Sequence, residues 1–291
     1  MSSNLRRGCR SRWRWILFAL VMTPVFCCGW SLLIYLIFPP SPTDILILGL
    51  DSRAGEGAAA RTDSIMLLGI NPGRLQVSLL SMPRDLFIDV PGYGSQRINT
   101  INLLGEQAAP GSGPALLAAS IQATFGVGVD RFVRLDFQGF VRLIDAVGGI
   151  TIDVERAIVD DAYPTEDGGT ISIRFDPGLQ HMDGERALIY ARTRHTEDDY
   201  QRAARQQQVI SALAGRLLNP LVWPGVLAAI GSSVETDLTI GDMLSLSVPI
   251  LANRGRFDQL VIDREWIVGS AQGHAMPNLE RLIPWLRPRF N

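Results

Sequence analysis

The chain has 291 residues, and its 27 basic residues, all of them arginine, stand against 29 acidic ones. That length is enough for a membrane segment followed by one large domain or two small ones. Setting aside the five arginines before residue 15 leaves 22 arginines against 29 carboxylates, about seven net negative charges. This balance excludes broad electrostatic binding, so we expect no nucleic-acid partner.

The N-terminal segment predicts an uncleaved membrane anchor. Residues 15–38 contain no charge and would form a helix about 36 Å long, enough to cross a bilayer. Five arginines precede this span and none follows it until Arg53, so the positive-inside rule places residues 1–14 in the cytoplasm. A cleaved signal peptide, the alternative, would have a shorter apolar core and a small-residue cleavage site. We therefore expect a single-pass cell-membrane protein, with a linker at residues 39–43 and an extracytoplasmic domain at residues 44–291.

The external domain begins with three apolar runs of strand length. They cover residues 44–50, 64–70 and 76–82, and a turn at residues 71–74 makes the second and third an antiparallel hairpin. Charged residues stand at or beside the ends of these runs: Asp51, Arg61, Asp63, Arg84 and Asp85. Because α/β sheets bind ligands at strand ends, these five residues are candidates for a site.

The rest of the external domain alternates predicted helices and strands. Up to residue 154 the sequence predicts a polar loop at 95–99, a helix at 114–125, a strand at 131–136, a helix at 137–147 and a strand at 150–154. An acidic, glycine-rich excursion at 155–180 follows, with a strand at 171–175, and then a helix that is capped by Asp183 and reaches 190. The last predicted elements are helices at 222–230 and 240–252, a strand at 257–262 and an end segment at 277–286. The strand–helix–strand succession over 131–154 predicts a right-handed βαβ unit.

The most polar stretch is residues 190–208, which contain four arginines. Arg192 and Arg194 are two residues apart, so in an extended segment their side chains leave the same side of the backbone. Asp198 and Asp199 predict the cap and first turn of a helix. One face of that helix is polar at its start and apolar beyond, and it carries Arg202, Gln206, Val209, Leu213 and Leu217. This pattern indicates an anion site at a helix N-terminus, and a solvated face with surface salt bridges is the alternative.

Carboxylates beside clustered arginines indicate a divalent metal together with a phosphorylated ligand. Asp51 and Asp63 offer hard oxygen ligands for Mg²⁺, while the arginines suit phosphate oxygens. The alternative, in which each aspartate pairs with an arginine and no metal binds, stays open. The three histidines are not spaced as a zinc set, and the external domain has neither a cysteine nor a Gly-x-Ser-x-Gly motif. Since ATP is scarce outside the cell membrane, a membrane-anchored donor such as a polyprenyl diphosphate is favoured.

Five motifs, taken together and in order, resemble those of the LytR-CpsA-Psr family. They are LGLDSR at 48–53, RTDS at 61–64, SMPRD at 81–85, RIN at 97–99 and the polar stretch over 190–207. The resemblance implies a single-span envelope protein whose external domain is an α/β/α sandwich with a central mixed β-sheet. It also implies a phosphotransferase that moves a glycopolymer phosphate from a polyprenyl diphosphate carrier to a peptidoglycan hydroxyl.

The resemblance further implies roles for individual residues. Asp51, Arg61, Asp63 and Arg84 would be catalytic, with Asp51 and Asp63 at a Mg²⁺ site. The donor diphosphate would lie among Arg53, Arg61, Arg84, Arg97, Arg192, Arg194, Arg202, Arg205 and Gln206, beside an apolar pocket for the prenyl chain. The sequence departs from the family pattern at Arg97, where lysine is frequent, and at Asn102, where an aromatic residue is frequent. Two alternative functions remain: a hydrolase of the same lipid diphosphate, and a non-enzymatic protein that binds the lipid carrier.

Overall fold

The computed structural model describes residues 22–23, 29–30, 33–35, 37–51, 58–165, 169–193, 199–217, 219–254, 256–269 and 273–291. The chain divides into two units, Met1–Ser41 and Pro42–Asn291. Most of the predicted anchor, and the predicted site residues Arg53 and Arg194, lie outside the described residues. Within the described part of the chain no single helix is long and apolar enough to cross a membrane, although one bent pair of helices meets the length and composition requirement jointly.

The second unit is built on a mixed sheet of six strands. They are β1 (Thr43–Leu50), β2 (Thr62–Asn71), β3 (Gln76–Met82), β6 (Arg131–Leu135), β11 (Val234–Thr236) and β12 (Asp258–Val261), in the spatial order β11-β6-β1-β2-β3-β12. β1 runs parallel to β6 and antiparallel to β2, while β3 runs antiparallel to β2 and parallel to β12. The three predicted N-terminal strands and the hairpin between the second and third are confirmed.

The remaining strands form two-stranded ribbons outside the central sheet. They are β4 (Phe87–Val90) with β5 (Gly94–Arg97), β7 (Ile150–Val154) with β10 (Gly178–Met182), β8 (Ile158–Pro164) with β9 (Thr170–Phe175), and β13 (Ile267–Gly269) with β14 (Ala275–Pro277). The helices are α1 (Ile98–Ala108), α2 (Gly113–Phe125), α3 (Phe137–Ala146), α4 (Gly184–Arg192), α5 (Asp199–Leu217), α6 (Trp223–Ser233), α7 (Ile240–Ala252) and α8 (Leu279–Leu286).

Alternate residues of β1 pack in different hydrophobic clusters. Leu46 and Leu48 are fully buried in a cluster with residues of α1, α2 and α8. Ile45 belongs to a cluster that includes Leu246 of α7, and Ile47 packs against that cluster. This is the two-residue period of a strand whose two faces are both covered. A further cluster joins α3, β7, α4 and α5 and contains Ile144, Ile152, Tyr190 and Val209.

The predicted βαβ unit is wrong. β7 does not join the sheet that contains β6; it pairs antiparallel with β10, and the positions on either side of β6 belong to β1 and β11. The burial of β7 explains this, because Ile150, Ile152 and Val154 are buried while Thr151 and Asp153 are exposed. A strand with one solvated face is typical of an antiparallel ribbon rather than of a parallel sheet covered on both faces.

Two other segments are more ordered than predicted. The predicted polar loop at 95–99 is instead strand β5 followed by the first residues of α1. In the excursion at 155–180, the predicted strand at 171–175 is confirmed as β9, and its partner β8 is an additional strand. Both segments form local antiparallel ribbons, β5 with the preceding β4 and β8 with the following β9.

The strand directions define one end of the sheet as the place where several chain segments meet. β1, β3, β6 and β12 all end there, and the antiparallel strands β2 and β11 begin there. We call this the site end of the sheet.

Candidate functional site

A β-bulge at the start of β2 shapes the site end. Gly49 pairs with Ser64 and the next residue, Leu50, pairs with Thr62, so Asp63 is an extra residue in β2. Regular alternation would send Asp63 and Ser64 to opposite faces of the sheet, but both line the same pocket. Beyond the bulge the pairing resumes, because the Asp51 amide donates to the Arg61 carbonyl at 2.9 Å. The bulge thus turns the Asp63 carboxylate toward the pocket.

Asp63 lies against Arg84, which is two residues beyond the end of β3. Arg84 Nη1 is 3.3 Å from Asp63 Oδ2 and 3.5 Å from Oδ1, and the two side chains keep 29% and 23% of their surface exposed. The Asn99 amide donates to the Arg84 carbonyl at 3.3 Å, which brings the start of α1 beside this pair. The pair is long and accessible, so a ligand can reach both charges.

Other predicted site residues surround this pair on exposed positions. Asp51, Arg61, Asp85 and Arg97 are all exposed. Arg97 ends β5, and its guanidinium lies 5.6 Å from the centroid of the Phe87 ring. The structure therefore places Asp51, Arg61, Asp63 and Arg84 at one end of the sheet, with Arg97 at the start of the neighbouring α1.

A pocket with an empty volume of about 740 Å³, part of it open to solvent, runs between the sheet and helices α3, α4 and α5. We call it the sheet-end pocket. Its apolar wall consists of Ile47, Leu50, Met66, Leu135, Phe137, Phe140, Leu188, Ala191, Val209 and Ile210. Polar side chains line it as well: Asp63, Ser64, Asp136, Arg192, Arg202 and Gln206. A pocket with a mostly apolar wall and a few convergent polar groups is typical of a small-molecule or lipid site.

Arg192 is held at the pocket by two aromatic rings. Its guanidinium lies 3.9 Å from the centroid of the Phe137 ring and 5.9 Å from that of Tyr163, and Nη1 donates to the Tyr163 hydroxyl at 3.3 Å. Burial raises the pKa of the Tyr163 phenol above its usual value, and the nearby Arg192 partly opposes this. The phenol is therefore neutral near pH 7, and it accepts from Arg192 without neutralising its charge.

The predicted polar-to-apolar face of α5 is confirmed where it meets the pocket. Arg202, Gln206 and Val209 all line the pocket, and Ser64 Oγ donates to Gln206 Oε1 at 3.0 Å. Arg205 is different, because it is 5% exposed and its guanidinium donates to the Thr193 carbonyl. Arg205 therefore supports the segment after α4 and does not line the sheet-end pocket.

The three consecutive glutamines of α5 each bond to different residues. Gln206 accepts from Ser64, as described, and Gln208 accepts from the Tyr190 hydroxyl at 2.6 Å. Gln207 is buried and donates to Ser81 Oγ and to the Leu260 carbonyl, both at 2.9 Å. These bonds fix α5 on β3 and β12, and they explain why so polar a helix start lies against the core.

The carboxylates at the site end suit a hard cation that is shared with a ligand. Asp51 and Asp63 lie on adjacent paired strands, and Mg²⁺ commonly takes one or two carboxylates together with water and phosphate oxygens. A site made by protein alone is not present in the described residues, since none of their histidines, cysteines, aspartates and glutamates form a group of three or more that could hold a metal ion. The donor set therefore fits Mg²⁺ bound jointly with a phosphorylated ligand and does not fit structural zinc.

Sequence reasoning missed several residues of the site. Asp136 lines the pocket while its carboxylate also caps α3 by accepting from the Gly139 amide at 2.7 Å. Phe137 and Tyr163 hold Arg192, and Thr193 bonds to Arg205. Only Asp136 had a usable signal, an aspartate at the end of a predicted strand; the contacts of Tyr163 depend on the fold.

Comparison with known proteins gives a consistent result. The model of the LytR_cpsA_psr family matches residues 39–276. The polyisoprenyl-teichoic acid–peptidoglycan teichoic acid transferase TagU of Oceanobacillus iheyensis is 31% identical over 225 residues, which cover 76% of this chain and 66% of TagU. The regulatory protein MsrR of Staphylococcus aureus is 33% identical over 227 residues, 71% of this chain and 64% of MsrR. The crystal structure of B. subtilis TagV, 26% identical, matches with a TM-score of 0.68 over 86% of this chain and 97% of TagV. The match thus spans about two thirds of the length of these curated relatives.

Proposed function

Because the chain belongs to the LytR-CpsA-Psr family, we propose that it is a membrane-anchored phosphotransferase that moves a glycopolymer phosphate from a polyprenyl diphosphate carrier to a peptidoglycan hydroxyl. The name of the relative TagU describes a transfer of this class. The observation that carries the proposal is the sheet-end pocket, whose wall is apolar while arginines and a carboxylate converge on it. Such a pocket suits an amphiphile with a long apolar chain and an anionic head.

The two parts of the donor have separate partners in this proposal. The prenyl chain lies along the apolar wall between the sheet and α5, where Met66, Phe140 and Val209 remove it from water. The diphosphate lies near Arg84, Arg192 and Arg202, whose guanidinium groups bind phosphate oxygens through charge-assisted hydrogen bonds.

The transfer step is a displacement at phosphorus. An acceptor hydroxyl oxygen forms a bond to the glycan-linked phosphorus, the bond from that phosphorus to the bridging oxygen breaks, and polyprenyl phosphate leaves. The arginines stabilise the negative charge that develops on the phosphoryl and bridging oxygens, which is the main task of a phosphoryl-transfer site. Asp51 and Asp63 would hold Mg²⁺, which supplies further charge neutralisation. Asp63 and Asp85 are the candidates to orient the attacking hydroxyl and take its proton.

The test supplies a polyprenyl diphosphate glycan and peptidoglycan to the full-length protein in detergent and follows both the glycan–wall product and free glycan phosphate. We expect wall product that is lost in EDTA, restored by Mg²⁺ and strongly reduced by Asp63→Ala. Asp89→Ala, which removes an exposed carboxylate in β4, is the matched control and should keep full activity.

Each other outcome identifies a different function. Free glycan phosphate without wall product would support the hydrolase. Neither product, despite retained lipid, would support a binding protein. Equal activity in EDTA and in Asp63→Ala would refute the metal role.

The anchoring in this proposal rests on the arginine asymmetry around residues 15–38. Protease added to intact spheroplasts should digest the chain after residue 39. Digestion only after lysis would refute an extracytoplasmic site, whatever the result of the transfer assay.

A further inference from the structure

The β8–β9 hairpin lies outside the central sheet yet contacts the segment that carries Arg192. Two of its side chains, Asp160 and Tyr163, reach that segment, and Arg156, two residues before β8, reaches α5. The hairpin belongs to the acidic excursion at 155–180, for which neither the predicted site nor the transfer step gives a role.

The first contact is between Tyr163 and Arg192. The Tyr163 side chain is 7% exposed, and its hydroxyl accepts from Arg192 Nη1 at 3.3 Å. On another side the guanidinium stacks on Phe137, a residue of the pocket wall. Arg192 is thus held between a ring of the pocket and a ring of the hairpin.

The second contact fixes the backbone next to Arg192. Thr193 Oγ1 donates to Asp160 Oδ2 at 2.5 Å, with Asp160 4% and Thr193 1% exposed. The guanidinium of Arg205 donates to the carbonyl of the same threonine. A buried carboxylate and a buried guanidinium therefore hold Thr193 from two directions, and this sets where the chain leaves α4.

A bulge in β8 makes both contacts possible. Asp160 pairs with Ile173 and Tyr163 pairs with Ile171, so β8 contains one residue more than β9 over this interval. Asp160 Oδ1 also accepts from the Ala162 amide at 3.1 Å, within the bulge. With this register Asp160 and Tyr163 are both buried, whereas Asp161 and Ala162 between them are exposed.

A third contact reaches the beginning of α5. Arg156, two residues before β8, donates from Nη2 to Gln201 Oε1 at 3.1 Å, so the hairpin and the residues just before it contact the chain both at residues 192–193 and at residue 201. We propose that Asp160 and Tyr163 are positioning residues that hold Arg192 in the orientation in which it binds the donor diphosphate. This deepens, and rests on, the proposed function.

The physical reason is the cost of ordering an arginine. A free arginine side chain loses up to about 2 kcal/mol of rotamer entropy when a ligand fixes it. A guanidinium that is already stacked and hydrogen-bonded has lost this freedom on folding, so more of the phosphate interaction appears as affinity.

The test measures the binding of farnesyl diphosphate and of farnesol to the full-length protein in detergent. Both probes have the same apolar chain, so the ratio of their affinities reports the contribution of the diphosphate, and general damage to the pocket would weaken both. We expect Asp160→Ala to lower this ratio about tenfold, as for the loss of a hydrogen bond to a charged group. Tyr163→Phe should lower the ratio about threefold, as for the loss of a weaker hydrogen bond. Asp160→Asn keeps an acceptor for Thr193 and should largely restore the ratio.

Two controls make the result specific. Asp161→Ala removes the neighbouring carboxylate, which accepts from Ser172 on the exposed side of the hairpin, and should leave the ratio unchanged. In an Arg192→Ala background, Tyr163→Phe should have no further effect, because the group that it positions is gone.

The outcomes separate the two proposals. If the wild type prefers the diphosphate and both Asp160→Ala and Tyr163→Phe keep that preference, the positioning role is refuted and the proposed function stands. If the wild type shows no preference, the proposed function fails, and the positioning role with it. If Asp160→Ala does not fold, Tyr163→Phe with its double-mutant partner still decides the question.

Discussion

Two arginine clusters on opposite sides of β1 differ in burial and in the distance between the paired charges. Arg134 in β6 is 2% exposed, and its guanidinium lies 2.5 Å from Glu106 and 2.6 Å from Glu235. Arg84, at the site end, is 29% exposed and lies 3.3 Å from Asp63. A short, buried ion pair leaves no room for a ligand, whereas a long, accessible ion pair leaves room for one.

The buried cluster also organises its surroundings. Arg134 Nη1 donates to Asn102 Oδ1 at 3.0 Å, and Asn102 Nδ2 donates to the Ala58 and Ala60 carbonyls at 3.1 and 3.0 Å. Burial by itself would raise the pKa of Glu106, but hydrogen bonds from Arg134, Gly111 and Gly113 hold it below its usual value. The cluster is thus saturated with protein partners, and its contribution is to stability. The comparison teaches that burial and pairing distance, rather than the number of charges, distinguish the two.

Removing the buried arginine should have the largest effect on stability. Arg134→Ala would leave Glu106 buried without its counter-ion, so we expect a loss of about 3–5 kcal/mol in the free energy of unfolding. Urea unfolding measures this loss. A loss below about 1 kcal/mol would contradict the distinction between the clusters.

Removing a site arginine should have the opposite signature. Arg192→Ala loses a charge-assisted hydrogen bond to phosphate, so farnesyl diphosphate binding should weaken by about 1.5–3 kcal/mol, while the melting temperature falls only slightly. Arg192→Lys should not restore binding fully, because lysine lacks the planar fork. A collapse of the melting temperature with unchanged binding in the folded fraction would instead assign Arg192 to structure.

A buried carboxylate without an arginine at its side sharpens the comparison through pH. Asp44 accepts the Asn291 amide at 2.7 Å, and burial, assisted by Asp130, raises its pKa to about 7. Because the folded state holds this proton more tightly than the unfolded state, stability is full below about pH 4 and falls as the pH rises toward 7. The free energy of unfolding of Asp44→Asn should therefore rise, relative to that of the wild type, by about 1–3 kcal/mol as the pH increases from 5 to 8. Urea unfolding measures this difference in free energy between the variant and the wild type. If it is the same at pH 5 and at pH 8, Asp44 is not protonated in the folded state.

The smallest effect should come from a pair that is exposed on both sides. Arg174 Nε lies 2.7 Å from Asp176, but both side chains are 65% exposed. We expect Arg174→Ala to change the free energy of unfolding by less than about 0.5 kcal/mol. A larger loss would mean that short distance alone, without burial, predicts stability here.

The sequence predicted those parts of the fold that are encoded locally. The hairpin of β2 and β3 has continuous apolar runs around a turn, and α5 has a face that changes from polar to apolar. Both elements could therefore be predicted from the sequence. Helix α1 was missed because it buries Asn102 and Glu106, polar residues whose partner Arg134 is about 30 positions away. The pairing of β7 was predicted wrongly because one-sided burial becomes visible only with its partner β10.

The candidate site divides in the same way. Asp63 and Arg84 were found because they stand at strand ends, and the structure brings them together. Tyr163 carried no signal, since its role depends on a contact with Arg192, 29 positions away. Arg205 was placed with the ligand-binding residues by its position in the motif, yet its guanidinium donates to a backbone carbonyl.

The extra residue in β2 has a consequence for how this protein tolerates deletions. A strand that loses one residue at a bulge can close into a regular ladder, so a deletion at Asp63 should be among the least damaging to the sheet. The same deletion would remove the carboxylate that faces the pocket and leave Ser64 and Gln206 in place. In a deletion library, a chain shortened at this point should therefore keep its fold and its pocket, and under the proposed function it would bind the donor without transferring it.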